Sequence, residues 1–159
     1  MTTIPNKGTV VTSVSPTVAS ELYQLRSALE GLAARLFVKN ATDSQRRQLV
    51  RALQNLDKAV AKGEPILKAK DHFYDVLFEG AGNESLRVMA GSLHARVSVL
   101  RSLSLSLPGR PVESVTELKA VVDAIQANDG EAAARACSFH VEQAGRAGLV
   151  GLFAEQQQS

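Results

Sequence analysis

Five polar side chains fall inside runs of apolar residues spaced three or four apart: Arg26, Lys70, Tyr74, Arg96 and His140. Arg26 lies four residues after Leu22 and three before Leu29, and Lys70 and Tyr74 share a stripe with Ile66, Phe73 and Leu77. Arg96 follows Leu93 by three and precedes Leu100 by four, while His140 sits between Cys137 and Ala144. One such cation can lay its stem on apolar surface and keep its head in water. Several together repel one another and lose hydration unless something anionic joins them. Inward acids are few, and Glu30, one turn from Arg26, is the most obvious; an internal Arg26–Glu30 pair is the structural alternative at that corner. The chemistry expected is recognition of a small organic anion in a net-positive pocket.

Catalytic chemistry has no comparable support. The chain carries no GxSxG, Walker loop, HExxH or GxGxxG, and Cys137 with scattered His72, His94 and His140 makes no dyad. Asp71 and Asp75, one turn apart with Lys68 and Lys70 beside them, read as a solvated face rather than paired acids or metal ligands. His94 and His72 border polar faces and read as surface histidines. The chain is expected not to be an enzyme.

The elements that must position the five side chains are helical. Residues 1–14 read as an extended arm with a short strand over 9–12, and residues 15–159 as one helical domain. Ser15-Pro16 opens a helix with Leu22, Leu25, Leu29, Leu32 and Leu36 on one face. Thr42 and Gln45 make a capping box for a second helix that ends at Gly63. Pro65 opens a third, and Asn83 caps a fourth that runs through Leu86, Leu93, Leu100 and Leu103 towards Pro108. A fifth holds Val115, Leu118, Val122 and Ile125. Asn128-Asp129-Gly130 leads into a sixth, with Ala133, Ala136, His140, Ala144 and Ala147 allowing close packing. The fold expected is all-α, an antiparallel bundle of about six helices.

Composition narrows the function further. The 159 residues suffice for one domain with a real core, and 18 Lys and Arg against 16 Asp and Glu give no basic stripe for gripping nucleic acid. The single cysteine excludes a disulfide framework and fits the cytoplasm, and no apolar run approaches the roughly 18 residues of a membrane span.

Three ordered segments carry a family resemblance. ELYQLRSALEGLAARLF resembles the first helix of the FCD-type effector domains of GntR-family transcriptional regulators, around Leu25, Arg26 and Glu30. HFYDVLFEGAGNESL is similar to their FHxxL…AGNxxL segment through Phe73, Leu77, Gly82, Asn83 and Leu86. TELKAVVDAIQANDGEAAARACSFHVEQA resembles their final helix pair through Glu117, Ala124, Ile125, Asp129, Ala133 and His140. The likeness covers about residues 15–147 and implies a ligand-sensing, homodimerising domain. It also implies an amino-terminal winged helix-turn-helix that reaches DNA, which this sequence does not contain. NKGTVVTSVSP resembles the end of the family's wing and the linker after it.

The resemblance also implies a divalent metal held by an aspartate and a histidine four apart, plus two histidines from the last two helices. Here those places are Lys70, Tyr74, Leu118 and His140, so no metal and no other cofactor is expected. Lys70 supplies positive charge directly and Tyr74 keeps a hydroxyl where an imidazole would stand. The expected partner is a small organic acid or acyl-type effector. The alternative is a structural, dimerising bundle with no effector.

Overall fold

Four side chains that the sequence marks as caps set the helix starts. Ser15 Oγ accepts from the Val18 N–H at 3.1 Å, and Thr42 with Gln45 closes the reciprocal box at 3.1 and 2.9 Å. Asn83 accepts from the Leu86 N–H and Asp129 from the Ala132 N–H, both at 3.0 Å. Each satisfies a donor that the first turn leaves without an intrahelical partner. In this computed structural model, which describes residues 14–158, the result is α1 (Pro16–Asn40), α2 (Asp43–Ala61), α3 (Leu67–Ala81), α4 (Glu84–Arg96), α5 (Ser98–Leu105), α6 (Arg110–Gln126) and α7 (Gly130–Gln157). No strand occurs among the described residues. The arm and its short strand over 9–12 lie outside them.

Among the described residues seven helices stand where the sequence suggests about six, because the fourth is broken. At Val97 the backbone turns to φ −105° and ψ 18°, ending α4 and restarting as α5. The restart rotates the helical face, so α5 buries Leu100, Arg101 and Ser104. Arg96, assigned to the inward stripe by projecting one continuous helix, is exposed at the last position of α4, and His94 is buried instead.

The leucine stripe of α1 is likewise turned from its expected direction. The inward face is Ala19, Leu22, Tyr23, Arg26, Glu30, Ala33, Ala34 and Phe37, leaving Leu25 53% exposed and Leu29, Leu32 and Leu36 on its flank. Small residues explain this, since they let α1 and α7 approach more closely than leucines would allow. A Cβ on Gly145 would meet the Tyr23 ring at 2.9 Å, and one on Gly31 would meet Ser138 Oγ at 2.6 Å. Ser138 Oγ also donates to the Ser27 carbonyl at 2.9 Å, tying the seam.

Two apolar clusters form the core. One gathers Ala33, Phe37, Leu56, Phe73, Leu77, Leu118 and Cys137, and the other Ala19, Leu22, Tyr23, Val97, Leu100 and Val141 with their neighbours. On α1 the step from one cluster to the other is filled by Arg26 and Glu30, and on α7 by His140. A polar layer therefore lies at the junction of two apolar ones.

Candidate functional site

Helical spacing brings the polar layer together from six helices. Arg26 Nε and Nη2 donate to Glu30 Oε2 and Oε1 at 2.7 and 3.2 Å, an i, i+4 pair on α1 with both side chains buried. His94 of α4 donates from Nε2 to Glu30 Oε2 at 2.8 Å. On the other side of the layer, Arg110 at the start of α6 forks onto Glu117 at 2.9 and 2.7 Å. His140 of α7 lies with Nδ1 at 2.7 Å from Glu117 Oε1 and Nε2 at 3.2 Å from Lys70 Nζ of α3. A carboxylate only accepts, so His140 Nδ1 carries the proton and its Nε2 lone pair faces the lysine. Arg101 of α5 donates to Asp71 Oδ1 at 2.7 Å, the carboxylate side chain being 51% exposed.

Tyr74 stands in the middle. Its ring stacks on Phe78 at 5.6 Å and meets His94 edge-on at 4.6 Å. The guanidinium carbons of Arg26 and Arg101 lie 5.9 and 5.8 Å from its centroid, within cation–π reach.

Burial is unequal between the charges of this layer. Arg26, Lys70, Arg101 and Arg110 are all buried, whereas of the carboxylates facing them only Glu30 is; Glu117 is partly exposed, and Asp71 and Glu113, the latter 3.8 Å from Arg110, are at least half exposed. Arg26 Nη1, Arg101 Nη2, Arg110 Nε and the Tyr74 hydroxyl are buried without a hydrogen-bond partner. Burial, then the Arg101, Arg26 and Arg110 charges, pull the Lys70 ammonium well below its ordinary pKa. Burial and Lys70 bring His140 to about 3, the hydrogen bond to Glu117 opposing them. Burial alone would raise Glu117, but His140 and Arg110 hold it at about 2. Burial would likewise raise Glu30, and Arg26 with His94 hold it well below the usual carboxylate range.

Of the five side chains singled out in the sequence, the fold brings Arg26, Lys70, Tyr74 and His140 together and leaves Arg96 exposed outside the layer. His94, read as a surface histidine, is buried on Glu30. Asp71, read as part of a solvated pair, is engaged by Arg101, whereas Asp75 and His72 are exposed as expected. Arg101 and Arg110 went unrecognised. The only signal for Arg101 is the β-branched pair Val97 and Val99 at the helix break, while Arg110, between Gly109 and Pro111, reads as a turn. Acidic partners are also less scarce than the stripes imply, because Glu117 serves both Arg110 and His140.

The donor set at the four metal-equivalent places does not fit a divalent cation. Leu118 offers no donor atom, and the His140 Nε2 lone pair that would bind a metal is directed to the Lys70 amine. Among the described residues no group of three His, Cys, Asp or Glu side chains is arranged to hold a metal. No described helix is long and apolar enough to cross a membrane.

The family model of the FCD domain matches residues 21–143. In fold, the chain is similar to a GntR protein of Streptococcus agalactiae, with TM-score 0.69 and 22% identity over 80% of this chain and 58% of that one. It is also similar to E. coli McbR/YncC, with TM-score 0.75 and 22% identity over 91% of this chain and 68% of that one. The metal-free FCD domain of TM0439 superposes with TM-score 0.74 and 15% identity, over 89% of this chain and 99% of that one. None of the curated proteins matches the chain.

Proposed function

Because the chain belongs to the FCD-domain family, a family of regulatory rather than enzymatic domains, we propose that it is the effector-sensing and dimerising domain of a cytoplasmic GntR-type transcriptional regulator. It takes a small organic anion into the polar layer without a divalent metal. Contact with DNA belongs to a winged helix-turn-helix and not to this domain. The bound anion acts through its unequal affinity for the DNA-competent and DNA-released arrangements.

The observation that carries the reading is the set of three guanidinium N–H groups, on Arg26, Arg101 and Arg110, buried without an acceptor in a layer whose cations are more deeply buried than most of its carboxylates. A buried donor without a partner costs about 1–3 kcal/mol, so an anion that supplies acceptors recovers that cost on binding. Lys70 stands where the resemblance puts an acidic metal ligand, its Nζ facing His140 Nε2 at 3.2 Å, and an arriving anion would favour its charged form and so gain a cation to bind. Phe139, Val150 and Phe153, exposed on one face of α7, support the dimerising role.

The test is a thermal-shift screen of the purified chain across carboxylates, sugar acids and acyl thioesters. A ligand at about 100 times its Kd should stabilise the fold by about 2.7 kcal/mol. Lys70→Met should keep the fold and weaken binding by about 1.5–3 kcal/mol, the worth of one charged hydrogen bond. Unchanged affinity in that variant would overturn the role given to Lys70, and no stabilising acid in the screen favours a structural bundle with no effector.

A further inference from the structure

Beside the buried layer, the wall formed by α3 and α4 holds a cleft of about 570 Å³. Its rim is acidic, since Asp71, Asp75 and Glu79 recur at four-residue intervals on α3 and all three are exposed. Arg87, on the α4 side, is already forked onto Glu84. The floor is Tyr74, Phe78 and His94. Tyr74 is 1% exposed, lines the cleft and carries a hydroxyl with no partner.

Two polar contacts span the boundary between this acidic cleft and the interior, His94 on Glu30 and one ion pair, and only the ion pair has its carboxylate on the rim. Asp71 belongs to the rim, and its Oδ1 accepts from Arg101 Nη1 at 2.7 Å. Arg101 belongs to the interior, with a side chain 8% exposed, a second amino group left without an acceptor, and Tyr74 at 5.8 Å. A ligand passing from cleft to interior must part this pair. A simple cation that drew Asp71 away would leave Arg101 buried and uncompensated. A simple anion would have to pass three carboxylates and would take Arg101 from Asp71 without replacing it. A molecule carrying both charges exchanges one ion pair for two and leaves neither partner alone.

Resting on the anion-sensing reading above, we infer that the effector is a zwitterion of the amino-acid class. Its carboxylate is received by Arg101 and the cations behind Tyr74, and its ammonium by Asp71, with Asp75 and Glu79 one and two turns further along α3 adding attraction at the rim. The cleft is the way in, and the Asp71–Arg101 pair is what the ligand divides. The apolar faces of Phe78 and Tyr74 then meet the carbon skeleton between the two charges.

The chain has no tryptophan and two tyrosines, so a Tyr23→Phe background makes Tyr74 the one tyrosine reporter. The probes are the common amino acids and γ-aminobutyrate, each beside its deaminated acid and its decarboxylated amine, followed by tyrosine emission and melting temperature. At least one zwitterion should bind saturably and roughly tenfold more tightly than its acid or amine, a ratio large enough to exceed scatter between related ligands. Asp71→Asn, at a half-exposed site, should keep the far-ultraviolet dichroism and remove most of that advantage, and Asp75→Asn with Glu79→Gln should remove part of it. If simple acids bind as tightly as their amino counterparts, or Asp71→Asn leaves the ratio unchanged, the zwitterion inference fails while the anion reading stands. If no zwitterion binds, it fails whatever the acids do, and if the acids fail too, the anion reading falls with it.

Discussion

Replacing Glu30 by glutamine removes one negative charge and little volume from the middle of the polar layer. Glu30 is fully buried and accepts from Arg26 at 2.7 and 3.2 Å and from His94 at 2.8 Å. The amide keeps the shape and one acceptor oxygen, but Arg26, 2% exposed, is left without its counter-charge beside Lys70, Arg101 and Arg110. Breaking a buried pair from one side costs about 3–5 kcal/mol, because the surviving charge can neither reach water nor lose its proton. For a chain of this length that corresponds to a fall in Tm of roughly 6 to 20 °C, read by thermal melting at pH 7 and checked by urea unfolding. Arg26→Met combined with Glu30→Leu should lose less than the single change, since it removes both charges and leaves mainly the His94 N–H unanswered. A Glu30→Gln protein melting within about 2 °C of the parent would refute the reasoning, because Arg26 would then have another way to satisfy its charge.

Acid should destabilise the domain well before ordinary carboxylates titrate. Glu117 at about 2 and His140 at about 3 both lie below their unfolded values of 4.5 and 6.5, so the unfolded chain binds more protons as pH falls. Their contribution is complete above about pH 6.5 and declines progressively towards pH 2; a urea midpoint flat from pH 6.5 to 3 would contradict this, and His140→Gln should flatten the upper part of the curve. Gly80→Ala should cost about 1–3 kcal/mol, because its Cβ would overlap the buried Phe37 ring, whereas Gly91→Ala, with nothing within 4 Å, should gain about 0.5–1 kcal/mol by urea unfolding. Dialysis against a chelator should leave the Tm unchanged, and elemental analysis finding about one transition metal per chain would overturn the reading that Lys70, Tyr74 and Leu118 stand in place of metal ligands.

Features governed by neighbours in sequence were legible, and those governed by the meeting of helices were less so. Ser15, Thr42, Gln45, Asn83 and Asp129 cap as their positions demand, because a cap involves only the next three residues. Arg26, Lys70, Tyr74 and His140 were readable because a polar residue in an apolar stripe needs only a periodicity argument. Arg96 and His94 exchanged roles because the break at Val97 interrupts the periodicity on which the projection depends. The leucines of α1 misled for a related reason: hydrophobicity favoured them, but the contact with α7 is decided by the smallness of Gly31 and Gly145. Glu117 pairs with Arg110 seven residues earlier and His140 twenty-three later, and the second distance belongs to tertiary structure.

Cys137 adds a chemical clock to this arrangement. It is fully buried on α7, and burial followed by the Glu30 charge pushes its thiol up beyond the ordinary range, so in the closed molecule the sulfur is protonated and sheltered from alkylating reagents. Modification must therefore wait for the layer around Arg26 and Glu30 to open. Because no other thiol is present, the rate of iodoacetamide consumption counts those openings directly. A ligand that holds the layer shut should slow the clock, and one seated elsewhere should leave its rate unchanged.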